Sequence, residues 1–556
     1  MRAGIPAAIV SGVFLALAFP PAGQADIAFF ALVPLLLAVR GATPRQGFRL
    51  GFAAGLAFWL LDIAWLWHIK DNGGPLPLVL LGHFSLSAYC ALYTGLFGFG
   101  TAAAWGLARR RASPLLAGLA ALLAEPLLWI GCEYLRGTIL SGFPWNPLAA
   151  SQYRNPALLH AVSWGGAATL SALIVAINAG IASLLWRIWR DVFRPRFVAG
   201  AAPSPGPRFR IRSAELAIAL LATLACWSQG LSALRADTRA APSAPKLRAA
   251  LVHPDIPCIF EKDDDSVREA NETLLRFTSF ASLAAPSICL WPETALPGYI
   301  PYDRTSFELV TNAVHALGGK PLLAGAVELL YGGAPDAEVP NPHTIFNSAF
   351  LFGPGGIRAI YRKQHLVPFG EFIPLESLIP ALKKLAPAGF SCTAGEASGV
   401  FLADAADPAS PSIGALICFE DAFPYLARNA ARDGADLLVT LANDAWFDGS
   451  CESEQHLAQA VLRCVESRRP MLRCTNRGVS AFIDRRGRIL RRIGDGRGAG
   501  EPGFAVHDLP VPARAPLTPY TRMGDWLLNI PAAIFTVGIL VLSARKRGRP
   551  PCRPDE

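Results

Sequence analysis

Apolar residues in this chain are gathered rather than spread, and that gathering restricts the fold more than any other feature. Runs nearly free of charge lie near 5–20, 26–39, 50–68, 76–107, 114–135, 157–186, 214–234 and 525–543. A bilayer core asks for roughly 20 apolar helical residues. A multi-span α-helical membrane bundle of about eight spans is therefore expected. The first two runs are short and meet at Pro20-Pro21-Ala22-Gly23, which suits a tight helical hairpin. Residues 1–25 have a second reading, a cleaved signal peptide with Arg2 as its charged start and small residues near Ala25. Either reading leaves the later topology unchanged. The bulk figures agree, since 556 residues at 52% hydrophobic and 17% charged are unlike one soluble domain.

The formal charge of +9 sits in short clusters beside the apolar runs. That is the positive-inside pattern and not a nucleic-acid surface. One set of alternate loops holds Arg2, then Arg40, Arg45 and Arg49, then Arg109 to Arg111, the segment from Arg187 to Arg212, and Arg545 to Arg547 through Lys546. The other short loops offer only Lys70, Arg136 and Arg154. Both termini are thus expected in the cytoplasm, with the long segment at about 240–520 outside the cytoplasmic membrane. The expected division is 1–240 for the membrane domain with spans 1–7, 241–515 for an extracytoplasmic domain, and 516–556 for the last span and tail.

Asp62, Glu125 and Glu133 fall at membrane depth, where charge is costly and turns inward. Glu133 and Arg136, three apart, are expected to pair on one helix. Alternatively, they and the loop Gly142-Phe143-Pro144-Trp145-Asn146 form a mouth for a lipid or peptide. Eleven cysteines show neither C-x-x-C pairs nor the density of a disulfide scaffold. Cys90, Cys132 and Cys226 read as small buried apolar residues. Seven others, Cys258, Cys289, Cys392, Cys418, Cys451, Cys464 and Cys474, lie in the outer segment, and Cys418 is expected to be free.

Beyond about 246 the pattern becomes short β-rich runs separated by helical segments. Expected strands are Leu247–Val252, Ser287–Trp291, Pro321–Val327, Ser348–Phe352, Ile357–Tyr361, Ser412–Phe419, Asp436–Leu441, Met471–Cys474 and Val479–Ile483, with helices over Ser266–Ala281, Ser306–Leu317 and Gln455–Arg468. Several strands are unbroken apolar runs, as in sheets buried on both faces, so an α/β sandwich follows. Three of them end on chemistry: Trp291-Pro292-Glu293 on a carboxylate, Tyr361-Arg362-Lys363 on an amine, Ile417-Cys418-Phe419 on a thiol. A carboxylate can take the thiol proton, and an ammonium can stabilise both thiolate and oxyanion. Taken singly, each has a plainer explanation: a surface Glu after Pro, a solvated strand-end Lys, a core Cys. There is no G-x-S-x-G elbow, Walker loop or histidine pair at metal spacing, and Gly494-Asp-Gly496 reads as a turn, so no metal, nucleotide or other cofactor is expected.

In this order the three segments resemble the nitrilase superfamily. With the surrounding spans, the chain resembles its membrane-bound apolipoprotein N-acyltransferase family over almost the whole length. Glu133-Tyr-Leu-Arg-Gly137, Gly142-Phe-Pro-Trp145, Trp291-Pro-Glu293, Lys363-Gln-His-Leu-Val-Pro-Phe-Gly-Glu371, Ile417-Cys-Phe-Glu420, Asn443-Asp-Ala-Trp-Phe447, Gln455-His456, Thr475-Asn476 and Thr518-Pro-Tyr-Thr-Arg522 carry the resemblance. It implies a four-layer sandwich for the outer domain. It also implies Glu293 as general base, Lys363 as electrostatic stabiliser and Cys418 as nucleophile. Glu371 would support Lys363, while Glu420, Phe419, Asn443, Trp446, Phe447 and Trp145 would line or support the pocket. The implied reaction moves an acyl chain from a membrane phospholipid, phosphatidylethanolamine in the family, through a thioester to the α-amine of a diacylglyceryl-cysteine apolipoprotein. Three departures stand out: Phe419 in place of Tyr, Asp448 in place of Gly, and a segment Val252–Lys262 without the family's glutamines and tryptophan. They motivate two alternatives, a membrane-tethered nitrilase-type amidase and a weakly active lipoprotein- or lipid-binding paralogue. A transporter is the remaining rival.

Overall fold

A computed structural model describes residues 4–111, 113–190, 213–240, 245–257, 264–330, 344–374, 391–494 and 501–545. It divides into two compact units, one of Met1–Trp67, Pro75–Ala233 and Met523–Glu556, the other of His68–Gly74 and Leu234–Arg522.

The first unit is helical. Its main elements are α1 (Gly4–Leu17), α2 (Val33–Val39), α3 (Pro44–Asp62), α4 (Leu76–Arg111), α5 (Pro114–Arg136), α6 (Ala167–Ile188), most of α7 (Ala214–Ala240), and a final helix Asn529–Arg545. The sequence dictates where α3 begins. Thr43 and Gln46 form a reciprocal capping box around Pro44 at the first helical position. Gly47 and Gly51 then let α3 lie against α4: a Cβ there would stand 2.4 and 2.2 Å from the carbonyl oxygens of Gly98 and Thr94. Small residues at four-residue spacing are how helices approach in a medium without hydrophobic drive.

Six helices among the described residues are long and apolar enough to cross a membrane, against the eight expected. The two that fall short are the first pair. The helix Gly4–Leu17 has 14 residues, and at 1.5 Å per residue covers about 21 Å of a ~30 Å core. Ala25–Val39 is broken into a 3-10 turn and a seven-residue helix entered through Pro34. The run at 157–186 is also interrupted, at Gly166 with φ of +72°, so the long helix starts at Ala167.

The expected Glu133–Arg136 pair does not form. The loop after α5 folds back and supplies better partners. Glu133 accepts from Trp129 Nε1 at 2.8 Å and the Leu148 backbone N–H at 2.7 Å, while Arg136 donates to the Phe143 and Trp145 carbonyls. Arg40, expected in a loop, is buried; it pairs with Glu125 at 3.2 Å and lies over the Trp105 ring. Asp62 accepts from Asn146 at 2.9 Å. Each membrane-depth carboxylate thus has a partner in the bundle interior, as desolvation requires.

The second unit holds twelve strands: β1 (Lys246–His253), β2 (Ile288–Leu290), β3 (Leu322–Leu330), β4 (Thr344–Gly353), β5 (Gly356–Arg362), β6 (Val400–Leu402), β7 (Ser412–Ile417), β8 (Leu437–Ala442), β9 (Met471–Thr475), β10 (Ser480–Ile483), β11 (Ile489–Ile493) and β12 (Gly503–Pro510). They form two six-stranded sheets, β12-β1-β2-β3-β4-β5 and β11-β10-β9-β8-β7-β6. The sheets face each other across Leu251, Leu290 and Leu323 on one side and Ile417, Leu441 and Leu472 on the other. Val252, Cys289 and Ala324 point outward from the first sheet onto α8 (Asp264–Ser282) and α9 (Arg304–Ala316). The second sheet is covered by α10 (Pro424–Arg432) and α11 (Glu452–Ser467), with Gly414 of β7 against Ala430. This is a four-layer α/β sandwich. Strands covered on both faces have no polar side to alternate with, which is why they read as apolar runs.

Strands β6, β11 and β12 and helix α10 were not expected. The first is three residues long, and β11 reads Ile-Leu-Arg-Arg-Ile; both are edge strands whose pairing supplies what their own pattern lacks. Nine cysteines are free thiols among the described residues, Cys418 included; Cys258 lies outside them.

Candidate active site

Three strand ends converge. Glu293 follows β2, Lys363 follows β5 and Cys418 follows β7; the Glu293 and Lys363 side chains are buried and Cys418 is partly buried beside them. The turn bearing Glu293 lies directly on Gly325 of β3, where a Cβ would stand 2.6 Å from Glu293 Cα and 2.7 Å from the Pro292 carbonyl oxygen. Only glycine fits beneath that turn. The strand β5 delivers Lys363 by pairing with β4, and the Lys363 N–H donates to the Asn347 carbonyl at 2.8 Å. Cys418 leaves β7 with φ of +53° and opens a 3-10 turn, Cys418–Ala422. The expected strand through Phe419 therefore stops one residue before the thiol. A left-handed non-glycine residue is strained and needs surrounding restraint.

Lys363 Nζ lies 2.8 Å from Glu371 Oε1 and 3.4 Å from Glu293 Oε1. Asn347 Nδ2 donates to the same two carboxylates, at 2.8 and 2.7 Å. Glu371 also accepts from the Val367 N–H at 2.8 Å. Two acids, one ammonium and one amide thus form a closed hydrogen-bonded ring beside Cys418. Burial pushes the Glu293 carboxyl above the ordinary range, with Glu371 adding to the rise and Lys363 opposing it. Burial works against the Lys363 charge, but Glu371 and Glu293 outweigh it and hold the ammonium well above its usual value. Burial works against the Glu371 carboxylate too, but Lys363 overcomes it and holds that group low. Burial and the Glu293 charge push the Cys418 thiol up, against the pull of Lys363. The arrangement therefore holds a thiol next to a carboxylate, with a fixed cation in reach.

Glu420, expected in the pocket lining, is fully buried beneath it. Its carboxylate accepts from the N–H groups of Ile417, Gln364 and His365 at 2.7, 2.7 and 3.0 Å and from the Tyr361 hydroxyl at 2.8 Å. It ties the cysteine turn to the lysine segment. Burial pushes this carboxyl up to about 7. Phe419 packs edge-on against Phe423, which stacks on His365. Asn443 caps the turn Asp444–Phe447 and accepts from Asn476 at 3.0 Å; both asparagines line a cavity of about 150 Å³ together with Glu293, Thr294, Ile256 and Pro257. Trp446 and Phe447 are half-buried in that turn, and Asn72 donates to the Trp446 carbonyl at 2.9 Å. Asp448, in place of Gly, is engaged by Arg477, which also holds Asp255 at 3.0 Å. Residues 258–262 of the divergent segment lie outside the described residues. Trp145 belongs to the helical unit, where it is buried against Trp65 and Phe143.

Sequence reading missed Asn347. Its signal was one amide inside the apolar run from Ile345 to Phe352, a placement that a buried strand tolerates only when the amide is hydrogen-bonded.

Residues 11–180 match the family model described as "Apolipoprotein N-acyltransferase N-terminal domain", and residues 266–499 match the one described as "Carbon-nitrogen hydrolase". A Geobacter metallireducens protein named apolipoprotein N-acyltransferase is 35% identical over 487 residues, 87% of this chain and 85% of that one. Proteins of the same name from Gloeobacter violaceus and Azotobacter vinelandii are 32% and 30% identical, each over 98% of this chain and 96% of the relative. Among solved structures, Saccharomyces cerevisiae Nit3 of the nitrilase superfamily is 20% identical, covering 48% of this chain and 92% of its own with a TM-score of 0.35. A nitrilase-superfamily amidase from Nesterenkonia is 18% identical, covering 52% and 97%, with a TM-score of 0.36.

Proposed function

The chain belongs to the apolipoprotein N-acyltransferase family, and on that premise we propose that it moves a fatty acyl chain from a membrane phospholipid to the N-terminal α-amine of a diacylglyceryl-cysteine apolipoprotein, with Cys418 as the carrier. Glu293 takes the thiol proton as sulfur attacks the ester carbonyl carbon. The ester C–O bond breaks, the departing lysophospholipid oxygen receives that proton, and a thioester remains on Cys418. The apolipoprotein amine then attacks the thioester carbonyl, the C–S bond breaks, and the amine proton returns to the thiolate through Glu293. Lys363 faces the negative charge that builds on sulfur and on the carbonyl oxygen in each half. Glu371 and Asn347 keep that ammonium and the Glu293 carboxylate in register.

The observation that carries this reading is the shared carboxylate. Glu293 receives Lys363 and Asn347 while the Cys418 thiol interacts with the same group. Base, cation and thiol stand at least 55 positions apart in the chain, and their meeting at one locus supports a shared chemical role. Phosphatidylethanolamine is the donor we favour. Limited water at the thioester is what separates transfer from hydrolysis.

We assign the catalytic domain to 241–515, between a membrane domain at 1–240 and the last span and tail at 516–556. The basic loops favour both termini in the cytoplasm and this domain on the periplasmic side of the inner membrane. The shortness of the first two helices does not disturb that orientation, because removing two crossings leaves the parity of every later loop unchanged.

The test uses the full chain in detergent with an acyl-labelled phosphatidylethanolamine and a diacylated lipopeptide. Wild type should form a labelled thioester and then the amide, and Cys418→Ala neither. Labelled fatty acid released without amide would mark a hydrolase, and wild type forming neither product would mark a lipid-binding relative.

A further inference from the structure

Beneath the cysteine turn lies a cluster of charge that the mechanism above does not use. Helix α11 presents Glu452 and His456 to Asp421 of the cysteine turn, Asp444 after β8 and Arg473 of β9. All five are buried. Buried ions of this number are a burden to stability unless they are paired, and their retention calls for a role. His456 Nδ1 lies 3.0 Å from Asp444 Oδ1. Its Nε2 lies 2.9 Å from Asp421 Oδ1 and 3.2 Å from the Cys418 carbonyl oxygen. A neutral imidazole has one N–H and one lone pair, and here Nδ1 faces a carboxylate oxygen while Nε2 faces a carboxylate and a carbonyl oxygen. An imidazolium satisfies both sides, with one N–H toward each.

We infer that His456 is a positioning residue, which holds the left-handed backbone of Cys418 by donating from its second N–H to the Cys418 carbonyl. This rests on the reading of Cys418 as nucleophile. Glu420 restrains the same turn from the preceding residue, through the Ile417 N–H. The two restraints flank a residue whose φ of +53° the chain would otherwise relax, and relaxation would swing the sulfur away from Glu293. Asp421 and Asp444 stabilise the imidazolium from either side. Arg473 balances them, lying 3.7 and 3.4 Å away, and donates to the Val479 carbonyl. The direction of proton affinity agrees: although burial opposes the charge, Asp421 and Asp444 push His456 up to about 10. Burial and the Asp444 charge push Glu452 up to about 8, so the cluster is close to neutral near pH 7. The ligand atoms of Asp444, Glu452 and His456 lie within 4.8 Å of one another, a spacing that suits a metal ion. An imidazolium has no lone pair to offer one, and Arg473 already fills the cationic place.

The experiment compares wild type, His456→Gln and the charge-balanced pair Asp444→Asn/His456→Gln, all as full chain in detergent. The pair removes one positive and one negative charge, so it preserves a folded core where the single change leaves an aspartate uncompensated. Two readouts are taken on protein that elutes as a folded species: kcat and KM for lipopeptide acylation, and the rate at which iodoacetamide alkylates Cys418 across pH without substrate. Expected is a fall in kcat of about a hundredfold with KM unchanged, the loss typical of a reacting group misplaced by about 1 Å. Alkylation should also slow in His456→Gln, because a nearby cation has been lost, and less in the pair, which also removes the Asp444 charge that pushes the thiol up. A purely structural role would lower the yield of folded protein and leave both readouts at wild-type values in the fraction that folds, and that result overturns the inference. Should wild type form no thioester, the reading of Cys418 fails on its own account, while the alkylation comparison still decides whether His456 holds the turn.

Discussion

Replacing Glu420 by alanine removes a fully buried acceptor shared by four donors. Three of those donors are backbone N–H groups that cannot turn elsewhere, and each buried unpaired donor costs about 1–3 kcal/mol, or about 3–9 kcal/mol together. An opposing gain comes from no longer burying the carboxylate. Its rise from 4.5 to about 7, at about 1.4 kcal/mol per pH unit, makes the ionised form about 3 kcal/mol worse there than in water. The difference, about 3 kcal/mol near the middle of the range, corresponds to about 6–12 °C in the unfolding midpoint of a domain this size. Glu420→Gln keeps one accepting oxygen and sets an amide N–H2 against donors, so it should fall between wild type and alanine. The assay is thermal unfolding of the full chain in detergent at one scan rate, with thioester formation measured in parallel. Both variants should lose thioester formation as well, since the Cys418 turn and the Lys363 segment are no longer tied to one group. A Glu420→Ala midpoint within about 2 °C of wild type, less than 1 kcal/mol, would refute the reasoning, because the three N–H groups would then have found partners that this geometry does not offer.

Lys363→Met removes the charge that opposes the rise of Glu293. The low-pH limb of thioester formation, where the base is protonated, should therefore move to higher pH and the plateau should fall by at least ~100-fold; a limb that stays in place in a single-turnover pH profile argues against Glu293 as the base. Asn347→Leu deletes both amide donors to Glu293 and Glu371. Each is a hydrogen bond to a charged group worth about 1.5–3 kcal/mol, so the same limb should shift upward while Lys363 remains, and an unshifted profile counts against the ring. Gly325→Ala forces a methyl into the backbone of the Glu293 turn, where all three nearest atoms are main chain within 2.8 Å. Overpacking of this kind costs about 3 kcal/mol or more, and equilibrium unfolding should show it together with loss of transfer. His456 binds its proton more tightly folded than unfolded, rising from 6.5 to about 10. Its stabilising effect is thus complete below about pH 6.5 and is lost as pH rises toward 10; a wild-type midpoint that does not fall relative to His456→Gln over this window contradicts the imidazolium.

The outline of the molecule was open to sequence reading because its causes are local or periodic. Apolar runs announce helices for a bilayer, and doubly covered strands announce themselves by their lack of polar alternation. The ends of β2, β5 and β7 displayed Glu293, Lys363 and Cys418 without any knowledge of how the strands are ordered. What pairing alone creates stayed hidden: β6 and β11 exist because a neighbour offers them an edge, and the Arg-rich face of β11 disguises it.

The sequence also misdirected where two partners competed for one group. Glu133 and Arg136 stand at helical spacing, but each found main-chain partners in the returning loop, which satisfy it without the cost of a buried ion pair. Run length alone set the membrane part at about eight spans; the prolines and glycines at 20–23 and Pro34 stop the first two helices short. By itself, then, the sequence determined the two kinds of architecture, the order of the segments and the carboxylate, amine and thiol at three strand ends, since composition and periodicity act over a few turns of chain. Only tertiary structure decided that Asn347 joins Glu293 to Glu371, that Glu420 lies beneath the site as a tie, and that His456 lies between Asp421 and Asp444. Those are properties of donors and acceptors brought together from distant positions into a low-dielectric interior, where hydrogen bonds and charges acquire weights that no local stretch of sequence records.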